Sequence, residues 1–595
     1  MTGRARRSDG ANRRVKLLVV FLLLAWFGLF IRVGYVQLVK WRYLESEAQK
    51  QHWERLALHP PRGMIFDRTG RALTLDRLTC AIRVLPQYVR DGDAGKDTLA
   101  GILADFDIAD RAAIRRELAG HDRLFQLRRG VDYAAADSLR RVLVRRRFHN
   151  CTLVDDENQR SYPYGDVCAE VVGFVGTEQG LAGIEARYDS VLSGREGWVL
   201  LQRDAVGHRL PDPSYPKRDP TPGTDIHLTL DVDVQELCSR ALADKVEETG
   251  ALGGSAVVLS ATDGAVLALA DYPSFDPNRF GQFEQSRYRC RAVCDEFEPG
   301  SSFKPVIGIA ALEGDNAREL LGRRYDVSAG YIEVCGYKIN DVHSNGVLDF
   351  DGLFVKSSNP GVALLSMDVD RERFYLAARA LGFGIPVGVG LPGEASGMVD
   401  QPRFLSRLRL ANNAFGHGLT VTLLQLAAAY LCIANDGVYI RPYLVDSVCS
   451  GGRSLHFSGK CEVRRAMSPA TARRMQDILA RVITEGTGPQ AAIPGVAACG
   501  KTGTATKVEN GGYSKTRSRM SFIGFFPKDR PRYVVAVLID EPKTNRFAST
   551  VACPVFARIG TGLLGLERMR ERQQLVGEDR TLELAGVRLL EGGGQ

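Results

Sequence analysis

The stretch Glu298-Pro299-Gly300-Ser301-Ser302-Phe303-Lys304-Pro305 places a serine and a lysine three positions apart. Residues with this spacing lie on one face of a helix. Pro305 suits the first turn of a helix, and Gly300 allows the backbone to turn just before it. The first N–H groups of a helix have no partner inside it, so they can stabilise negative charge near Ser301. The stretch therefore predicts a helix start that carries a nucleophile, Ser301, and a base, Lys304.

Two further motifs decide between chemistry and coincidence. Alone, Ser301 and Lys304 are also compatible with a capped surface helix. Ser357-Ser358-Asn359 stands downstream, and Lys501-Thr502-Gly503-Thr504 follows it. Three short motifs in this order favour a serine acyltransferase, because together they supply a nucleophile, a base and groups that can hold a substrate.

Each motif residue has an expected role. Lys304 is a poor base at the ordinary lysine pKa of about 10.4, so burial and a second cation, Lys501, are expected to lower its pKa. Ser357 is expected to relay the proton to the leaving amine, and Asn359 offers a hydrogen-bond acceptor and donors. The Lys-Thr-Gly-Thr motif is expected to grip a substrate carboxylate, and its glycine to let the substrate lie against an edge strand. The expected substrate-binding residues are Ser358, Thr502, Gly503 and Thr504.

The composition is that of a globular protein without a nucleic-acid partner. Of the 595 residues, 45% are hydrophobic and 25% are charged, and this length predicts about two to four domains. The net charge of +8 is largely local, because the first sixteen residues carry one acid, Asp9, and six basic residues. The remainder is close to neutral, so binding to nucleic acid is not expected.

An apolar segment follows this basic tail. From Leu17 to Val39 the only charged residue is Arg32, whose long side chain can reach the membrane interface. Trp41 and Tyr43 suit that interface. A cleaved signal peptide is the alternative, but no small-x-small cleavage site follows the segment. We expect an uncleaved single-pass anchor in the inner membrane, with the N-terminus in the cytoplasm and the catalytic part outside, in the periplasm.

The rest of the chain predicts an α+β protein. Residues 40–57 predict a helical stalk, and helical patterns dominate residues 107–148. A proline-rich connector ends near residue 223 and marks a domain boundary. Beyond it, a hairpin around 255–269 and three strands near 498–506, 520–526 and 533–539 predict an antiparallel sheet flanked by helices, with an inserted helical subdomain. The expected segments are a cytoplasmic tail (1–16), an anchor (17–39), a mixed pedestal domain (40–224), a catalytic domain (225–565) and a C-terminal helix and tail (566–595).

The cysteines and histidines show no metal-binding pattern. None of the twelve cysteines has a spacing typical of zinc or haem sites. Cys449 and Cys461 flank a segment that predicts a hairpin, so we expect a disulfide between them outside the membrane. His343 and His417 stand beside motif-rich segments, but core or surface roles are expected for them rather than metal binding.

At this point the chain resembles the class B penicillin-binding proteins, and within them the septal transpeptidases of the FtsI type. The resemblance covers nearly the whole chain: Arg62-Gly63…Asp67-Arg68, Arg160…Tyr162-Pro163, Pro273-Ser274-Phe275-Asp276-Pro277-Asn278, Gly416-His417-Gly418 and Ser521-Phe522-Ile523-Gly524-Phe525. It implies a membrane-proximal pedestal and a penicillin-binding transpeptidase domain. The implied substrate is a peptidoglycan stem peptide ending in D-Ala-D-Ala, and β-lactams would mimic it. No metal or organic cofactor is implied.

The resemblance also implies partners, and it leaves rival functions. A membrane glycan polymerase of the FtsW type and other divisome proteins are the expected partners. We expect the anchor and the Arg62–Asp67 face to bind that polymerase. An elongation-type transpeptidase is the nearest rival, although Glu298-Pro299-Gly300 favours the septal type. A β-lactamase or carboxypeptidase would share all three motifs, and a β-lactam sensor would need a larger intracellular part than sixteen residues.

Overall fold

The computed structural model describes residues 8–45, 53–177, 179–203, 209–210, 214–450, 453–456, 462–509, 512–545 and 547–591. The chain divides into two compact units. One comprises Met1–Pro61 and Gly194–Pro222, and the other comprises Arg62–Ser193 and Gly223–Gln595.

The elements before residue 223 comprise one long helix, several short helices and several strands. The helices are α1 (Ser8–Leu38), α2 (Gly92–Asp105), α3 (Arg111–Gly120), α4 (Tyr133–Arg145), α5 (Ala169–Val172), α6 (Gly183–Arg187) and α7 (Asp189–Leu192). The strands are β1 (Trp53–Leu58), β2 (Ile65–Phe66), β3 (Leu75–Val84), β4 (Phe125–Asp132), β5 (Thr152–Ser161), β6 (Gly197–Arg203), β7 (Arg209–Leu210) and β8 (Lys217–Arg218).

The first unit combines helix α1 with a small antiparallel sheet. In that sheet β6 pairs with β1 and also with β7 and β8. The predicted helical stalk over residues 40–57 is therefore wrong in its last part, since Trp53 begins a strand. A pairing partner well over a hundred residues away stabilises the extended backbone there, and local helical patterning does not report it.

Helix α1 is long and apolar enough to cross a membrane. Its segment Arg13–Leu38 has 26 residues, a mean hydropathy of 2.4 and no buried residues within its unit. At about 1.5 Å per residue it exceeds the roughly 30 Å of a bilayer core. Among the described residues, Ala548–Gln573 is also long and apolar enough, but half of it is buried against the protein. The N-terminal segment is thus the one that fits the predicted anchor.

The pedestal part of the second unit has its own hydrophobic core. Strand β3 pairs with both β4 and β5, and α2, α3 and α4 contribute apolar side chains such as Leu99, Ile114 and Leu139 to the same cluster. Asp110 and Asp132 cap α3 and α4 through their carboxylates. The expectation that helical patterns dominate residues 107–148 missed β4, which lies between these two helices.

A cluster of buried ion pairs surrounds Glu185 in the pedestal. The Glu185 carboxylate, 0% exposed, accepts from Arg62 Nε and from Arg160 Nε at 2.7 Å each. Arg62 also contacts Asp189 at 2.8 Å. Asp67, equally buried, accepts from the backbone of Thr69 and Arg71. The expectation that an Arg62–Asp67 face binds a polymerase is therefore wrong for these two side chains, because both are directed inward.

The elements from residue 225 onward build the larger part of the second unit. The helices are α8 (Val232–Thr249), α9 (Arg291–Cys294), α10 (Lys304–Leu312), α11 (Ala317–Gly322), α12 (Phe350–Val355), α13 (Asn359–Ser366), α14 (Arg371–Ala380), α15 (Arg407–Ala414), α16 (Leu423–Ala434), α17 (Pro469–Thr484) and α18 (Ala548–Glu591). The strands are β9 (Asp225–Leu228), β10 (Gly253–Ser260), β11 (Val266–Tyr272), β12 (Tyr325–Asp326), β13 (Tyr331–Val334), β14 (Tyr337–Asn340), β15 (Val347–Leu348), β16 (Val438–Ile440), β17 (Val445–Ser450), β18 (Arg453–His456), β19 (Glu462–Arg465), β20 (Cys499–Glu509), β21 (Gly512–Phe526) and β22 (Tyr533–Asp540).

A five-stranded antiparallel sheet organises this part, in the order β11-β10-β22-β21-β20. Successive side chains of β22 enter opposite cores, because strand residues alternate between the two faces. Val534, Ala536 and Leu538 join the cluster that contains α10 and α16. Val535, Val537 and Ile539 join the cluster that contains α8 and α18. The predicted antiparallel sheet flanked by helices is confirmed, and β20 is its edge strand.

The C-terminal helix α18 begins at Ala548, well before the predicted start of a C-terminal segment at residue 566. Its first turns bury Val551, Phe556 and Ile559 against the sheet. Arg570 then binds Asp231, which caps α8, with contacts of 2.6 and 2.8 Å. The helix is thus part of the core from Ala548 to Leu564.

The expected hairpin near Cys449 has a different register. Strand β17 pairs with β18, and Ser454 lies opposite Cys449, with its Oγ 3.0 Å from the cysteine Sγ. Strand β19 pairs instead with β16. Cys461 lies outside the described residues, so the expected Cys449–Cys461 disulfide stays a prediction.

Candidate active site

Ser301 lies on a 3-10 turn, Gly300–Phe303, that leads directly into α10. Gly300 has a φ of +57° and donates its N–H to Gly416 O at 3.1 Å. A side chain at this glycine would place its Cβ 2.5 Å from Thr504 O, so no larger residue fits. The predicted helix start is confirmed, with the first turn tightened to 3-10 geometry.

Hydrogen bonds from the turn to the core hold Ser301 in place. Ser302 Oγ donates to Pro299 O at 2.8 Å, and the buried Tyr430 hydroxyl donates to Ser302 O at 2.9 Å. Ser301 itself is partly exposed, while its neighbours Ser302 and Phe303 are buried. The turn therefore leaves Ser301 partly exposed on a fixed backbone.

Two buried lysines converge on one serine hydroxyl. Lys501 Nζ donates to Ser357 Oγ at 2.8 Å, and Lys304 Nζ lies 3.3 Å from the same oxygen. Lys304 Nζ also donates to the Ser357 carbonyl at 2.5 Å. Both lysine side chains are fully buried. The three motifs that the sequence separates by up to 200 residues thus meet around Ser357.

Burial lowers the pKa of both lysines, because it disfavours their charged forms. The pKa of Lys304 falls well below its usual value, first through burial and then through repulsion by Lys501, while Asp341 opposes the change. Burial brings the pKa of Lys501 to about 7. A lysine that loses its proton readily can act as a base near neutral pH.

The second motif contains one partly exposed serine, Ser357, and one buried serine, Ser358. Ser357 has a φ of +59°, a left-handed conformation that costs a non-glycine residue about 1–3 kcal/mol. Ser358 is fully buried, and its Oγ accepts from Gly361 N at 3.0 Å as the cap of α13. The expectation that Ser358 binds substrate is therefore not supported, because its side chain is committed to the helix cap.

Asn359 is held by Asp341, a residue that sequence reasoning missed. Asn359 donates its backbone N–H to Asp341 Oδ1 at 2.6 Å. The other carboxylate oxygen accepts from Asn345 Nδ2 at 3.0 Å. Asp341 lies in a loop eighteen residues before Asn359, and no motif spacing connects the two. Asp341 positions the second motif and is also the carboxylate that opposes the lowered pKa of Lys304.

The third motif lies on the edge strand β20. Thr502 is nearly buried, with its hydroxyl 2.7 Å from Thr487 Oγ1 and 3.5 Å from Lys501 Nζ. Thr504 is exposed on the same face of the strand. At Gly503, a Cβ would lie 2.8 Å from Pro299 O and would overlap Ser521 Oγ. The glycine is therefore required by the close packing of β20 against the nucleophile turn.

Two family models match this chain. The family model described as "Penicillin binding protein transpeptidase domain" matches residues 254–560, which is about half of the chain, and "Penicillin-binding Protein dimerisation domain" matches residues 57–228. Peptidoglycan D,D-transpeptidase FtsI of Escherichia coli is 30% identical over 568 residues, covering 94% of this chain and 93% of FtsI. The chain belongs to the class B penicillin-binding proteins.

Other relatives of this penicillin-binding protein have different names. The probable peptidoglycan D,D-transpeptidase PenA of Neisseria meningitidis is 31% identical over 562 residues, covering 93% of each chain. Stage V sporulation protein D of Bacillus subtilis is 31% identical over 564 residues, covering 92% of this chain and 85% of the relative. The FtsI and PenA relatives are both named as peptidoglycan D,D-transpeptidases, and identity alone does not rank the three relatives.

A solved structure supports the same fold. The structure of penicillin-binding protein 3 from Mycobacterium tuberculosis, complexed with aztreonam, has a TM-score of 0.66 and 28% identity to this penicillin-binding protein. It covers 86% of this chain, which in turn covers 97% of that structure. The transpeptidase domain of Burkholderia pseudomallei penicillin-binding protein 3 has 33% identity and a TM-score of 0.51, covering 57% of this chain and 96% of its own.

His417 of this penicillin-binding protein lies near Lys304 and has a neutral side chain. Its ring packs between Phe415 and Tyr513, with centroids 5.2 and 5.3 Å away. Burial, helped by the nearby Lys304, lowers its pKa to about 4. Among the residues that the structure describes, no three His, Cys, Asp or Glu side chains are placed to hold a metal ion.

Proposed function

We propose that this penicillin-binding protein is a septal peptidoglycan D,D-transpeptidase. It cross-links stem peptides ending in D-Ala-D-Ala through an acyl-enzyme on Ser301, and β-lactams acylate the same serine. The observation that carries the chemistry is the Ser357 hydroxyl, 2.8 Å from Lys501 Nζ and 3.3 Å from Lys304 Nζ. The names of the E. coli and Neisseria relatives support the substrate class.

In the first half-reaction, Lys304 acts as the base. Its neutral amine takes the proton of Ser301 Oγ, which attacks the carbonyl of the penultimate D-Ala. A carbon–oxygen bond forms and the peptide bond to the terminal D-Ala breaks. The leaving amine receives its proton through the Ser357 hydroxyl, which contacts both lysines. The free N–H groups of the nucleophile turn and the edge strand support the developing oxyanion.

In the second half-reaction, an amine of a neighbouring stem attacks the Ser301 ester. A carbon–nitrogen bond forms, the ester bond breaks, and the amine proton returns to Ser301 Oγ by way of Lys304. Lys501, Thr502 and Thr504 hold the donor carboxylate, and the Asn359 side chain hydrogen-bonds the donor backbone. The open edge of β20 pairs with the donor as an added strand.

The septal role is the finer part of the proposal. The match to FtsI and the Glu298-Pro299-Gly300 sequence support it, whereas the similar match to a sporulation protein does not separate the roles. An elongation-type transpeptidase is therefore the alternative. The pedestal and the apolar N-terminal helix disfavour a free β-lactamase or carboxypeptidase.

The anchor is proposed as the contact for a membrane glycan polymerase of the FtsW type and for the divisome. In this orientation the basic tail stays in the cytoplasm and the catalytic part is periplasmic. Gly28 and Gly34 have open space where a side chain would be, which suits close packing with a partner helix. Replacing residues 17–39 by an unrelated span should abolish co-purification with the polymerase while penicillin binding persists. Normal co-purification would reduce the anchor to a simple tether.

Fluorescent penicillin should label this protein at the division site. The expected image has labelled protein concentrated at midcell in constricting cells, and depletion should produce filaments that fail to divide. Ser301→Ala, which cannot be acylated, is the control for specific labelling. Label distributed along the lateral wall, with rounded cells on depletion, would support the elongation-type role instead.

Replacing Lys501 by glutamine should move the acidic limb of the pH–rate profile for penicillin acylation to higher pH. Lys501 lowers the pKa of Lys304 by repulsion, so its removal raises that pKa. Lys304 then loses its proton only at higher pH, and the limb should shift upward by about one pH unit. Stopped-flow acylation rates between pH 5 and 9 measure the shift. A limb that stays in place or moves downward would contradict Lys304 as the base.

A further inference from the structure

Glu298, three residues before the nucleophile, has a carboxylate that is only half satisfied. Its Oε1 accepts from Gly418 N at 2.9 Å and from the Tyr513 hydroxyl at 3.4 Å. Its Oε2 is buried and has no hydrogen-bond partner in the part of the chain that the structure describes. A buried carboxylate oxygen without a donor is costly, so the arrangement calls for a donor that the described residues do not supply.

Among the side chains that the structure describes, none supplies a cation to balance Glu298. His417, the adjacent ring, is neutral near pH 7 because burial and the nearby Lys304 lower its pKa to about 4. Burial also raises the pKa of Glu298, while Gly418 and Tyr513 oppose the change only in part. None of the lysine or arginine side chains described by the structure contacts this carboxylate within hydrogen-bonding distance. A bound cation would restore its ordinary ionisation.

Glu296, two residues upstream, shows that the open position is specific to Glu298. Glu296 Oε1 accepts from Gly397 N at 3.0 Å, and its Oε2 accepts from Thr420 Oγ1 at 2.7 Å. Both carboxylates lie on the same short segment before the nucleophile turn. Only the one nearer to Ser301 retains an unused acceptor.

We propose that Glu298 binds an ammonium group of the peptidoglycan substrate. The inference rests on the proposed transpeptidase function, because that reaction brings an amine to Ser301. The amine has two sources of identical chemistry. It belongs either to the acceptor stem, which attacks the acyl-enzyme, or to the donor stem, which carries the same side chain beside its scissile bond.

If the acceptor is bound, the ammonium first releases one proton to solvent. The resulting amine then forms a bond to the acyl carbon, the ester bond to Ser301 Oγ breaks, and the second proton is returned to Oγ. Glu298 thereby raises the local concentration of the amine over competing water. If the donor is bound, Glu298 instead orients the stem before acylation.

Partition experiments on the detergent-solubilised full chain test the proposal. The first arm uses an amine-free N-acyl-D-alanyl thioester as donor and D-alanine as acceptor, and measures the ratio of aminolysis to hydrolysis. The second arm compares kcat/KM for acylation by donors with and without a side-chain amine. Glu298→Gln is the test variant, and Glu296→Gln is the matched control. Penicillin acylation, which involves no substrate amine, is measured for each protein.

Acceptor binding predicts that Glu298→Gln lowers the aminolysis-to-hydrolysis ratio about tenfold in the first arm. Donor binding predicts about a tenfold loss of preference for the amine-containing donor in the second arm. Glu296→Gln should change neither quantity. If Glu298→Gln does not fold, Glu298→Asp is the second variant, because it keeps the charge on a side chain that is one methylene shorter. It should cause a smaller loss of amine selectivity in one of the two arms.

Two results would overturn the inference. Unchanged ratios in both arms would show that no substrate ammonium depends on Glu298. A loss of penicillin acylation as large as the loss of amine selectivity would assign Glu298 to the architecture of the nucleophile turn. Failure of the proposed function itself would look different, because the wild-type chain would then form no acyl-enzyme with either donor.

Discussion

Lys304→Ala should slow penicillin acylation of Ser301 by about 100- to 10,000-fold, the usual loss when a general base is removed. Lys304 is fully buried, and burial and Lys501 together lower its pKa, so it is available as a neutral base. Lys304→Met, which keeps an unbranched side chain, should show the same loss and thereby separates base chemistry from packing. Rate constants follow from stopped-flow measurements with a fluorescent penicillin.

The covalent penicillin adduct provides a second test of the Ser301 assignment. Intact-mass measurement should show one penicillin per wild-type chain and none on Ser301→Ala. An adduct that survives Ser301→Ala would remove Ser301 as the nucleophile. Near-normal acylation of folded Lys304→Ala would transfer the role of base to Lys501, which contacts Ser357 from the other side at 2.8 Å.

Glu185→Ala should produce the largest loss of stability in the pedestal. The substitution leaves two arginines, Arg62 and Arg160, without their shared counter-ion, although their side chains are only 11% and 6% exposed. Breaking a buried ion pair by removing one partner costs about 3–5 kcal/mol. The measurement is the unfolding midpoint in urea, followed by fluorescence and by loss of penicillin labelling.

Asp97→Ala is the control for this prediction. Asp97 pairs with Arg111 at 2.7 Å, but both side chains are at least half exposed, so its removal should cost about 0–1 kcal/mol. Equal losses for the two variants would show that burial does not set the strength of the Glu185 cluster. A larger loss for Asp97→Ala would contradict the prediction outright.

The sequence was sufficient to predict the features that depend on local pattern. Apolar runs on either side of a turn signal predicted β10 and β11, and a later apolar run predicted β22. The Ser-x-x-Lys spacing predicted the helix start at Ser301. The convergence of Lys304 and Lys501 followed from the order of motifs and from resemblance to a known family. Each of these inferences needed only a few neighbouring residues or a short signature.

The features that sequence reasoning missed depend on distant partners. Strand β1 forms because β6 pairs with it from far along the chain. Asp341 holds Asn359 across a loop that carries no periodic signal. Ser358 belongs to the active-site motif by sequence, yet its hydroxyl caps a helix. The inward orientation of Arg62 becomes visible only when Glu185, more than a hundred residues later, is placed beside it.

The two glycine contacts between the nucleophile turn and the edge strand bear on drug resistance. A Cβ at Gly300 would lie 2.5 Å from Thr504 O, and a Cβ at Gly503 would lie 2.8 Å from Pro299 O. The nucleophile turn and the edge strand are therefore packed closely beside Ser301. Under antibiotic selection, neither glycine can be replaced by a larger residue without displacing Ser301. Variants that keep cross-linking while excluding a drug are therefore expected at exposed positions outside the three motifs, which can change without moving Ser301.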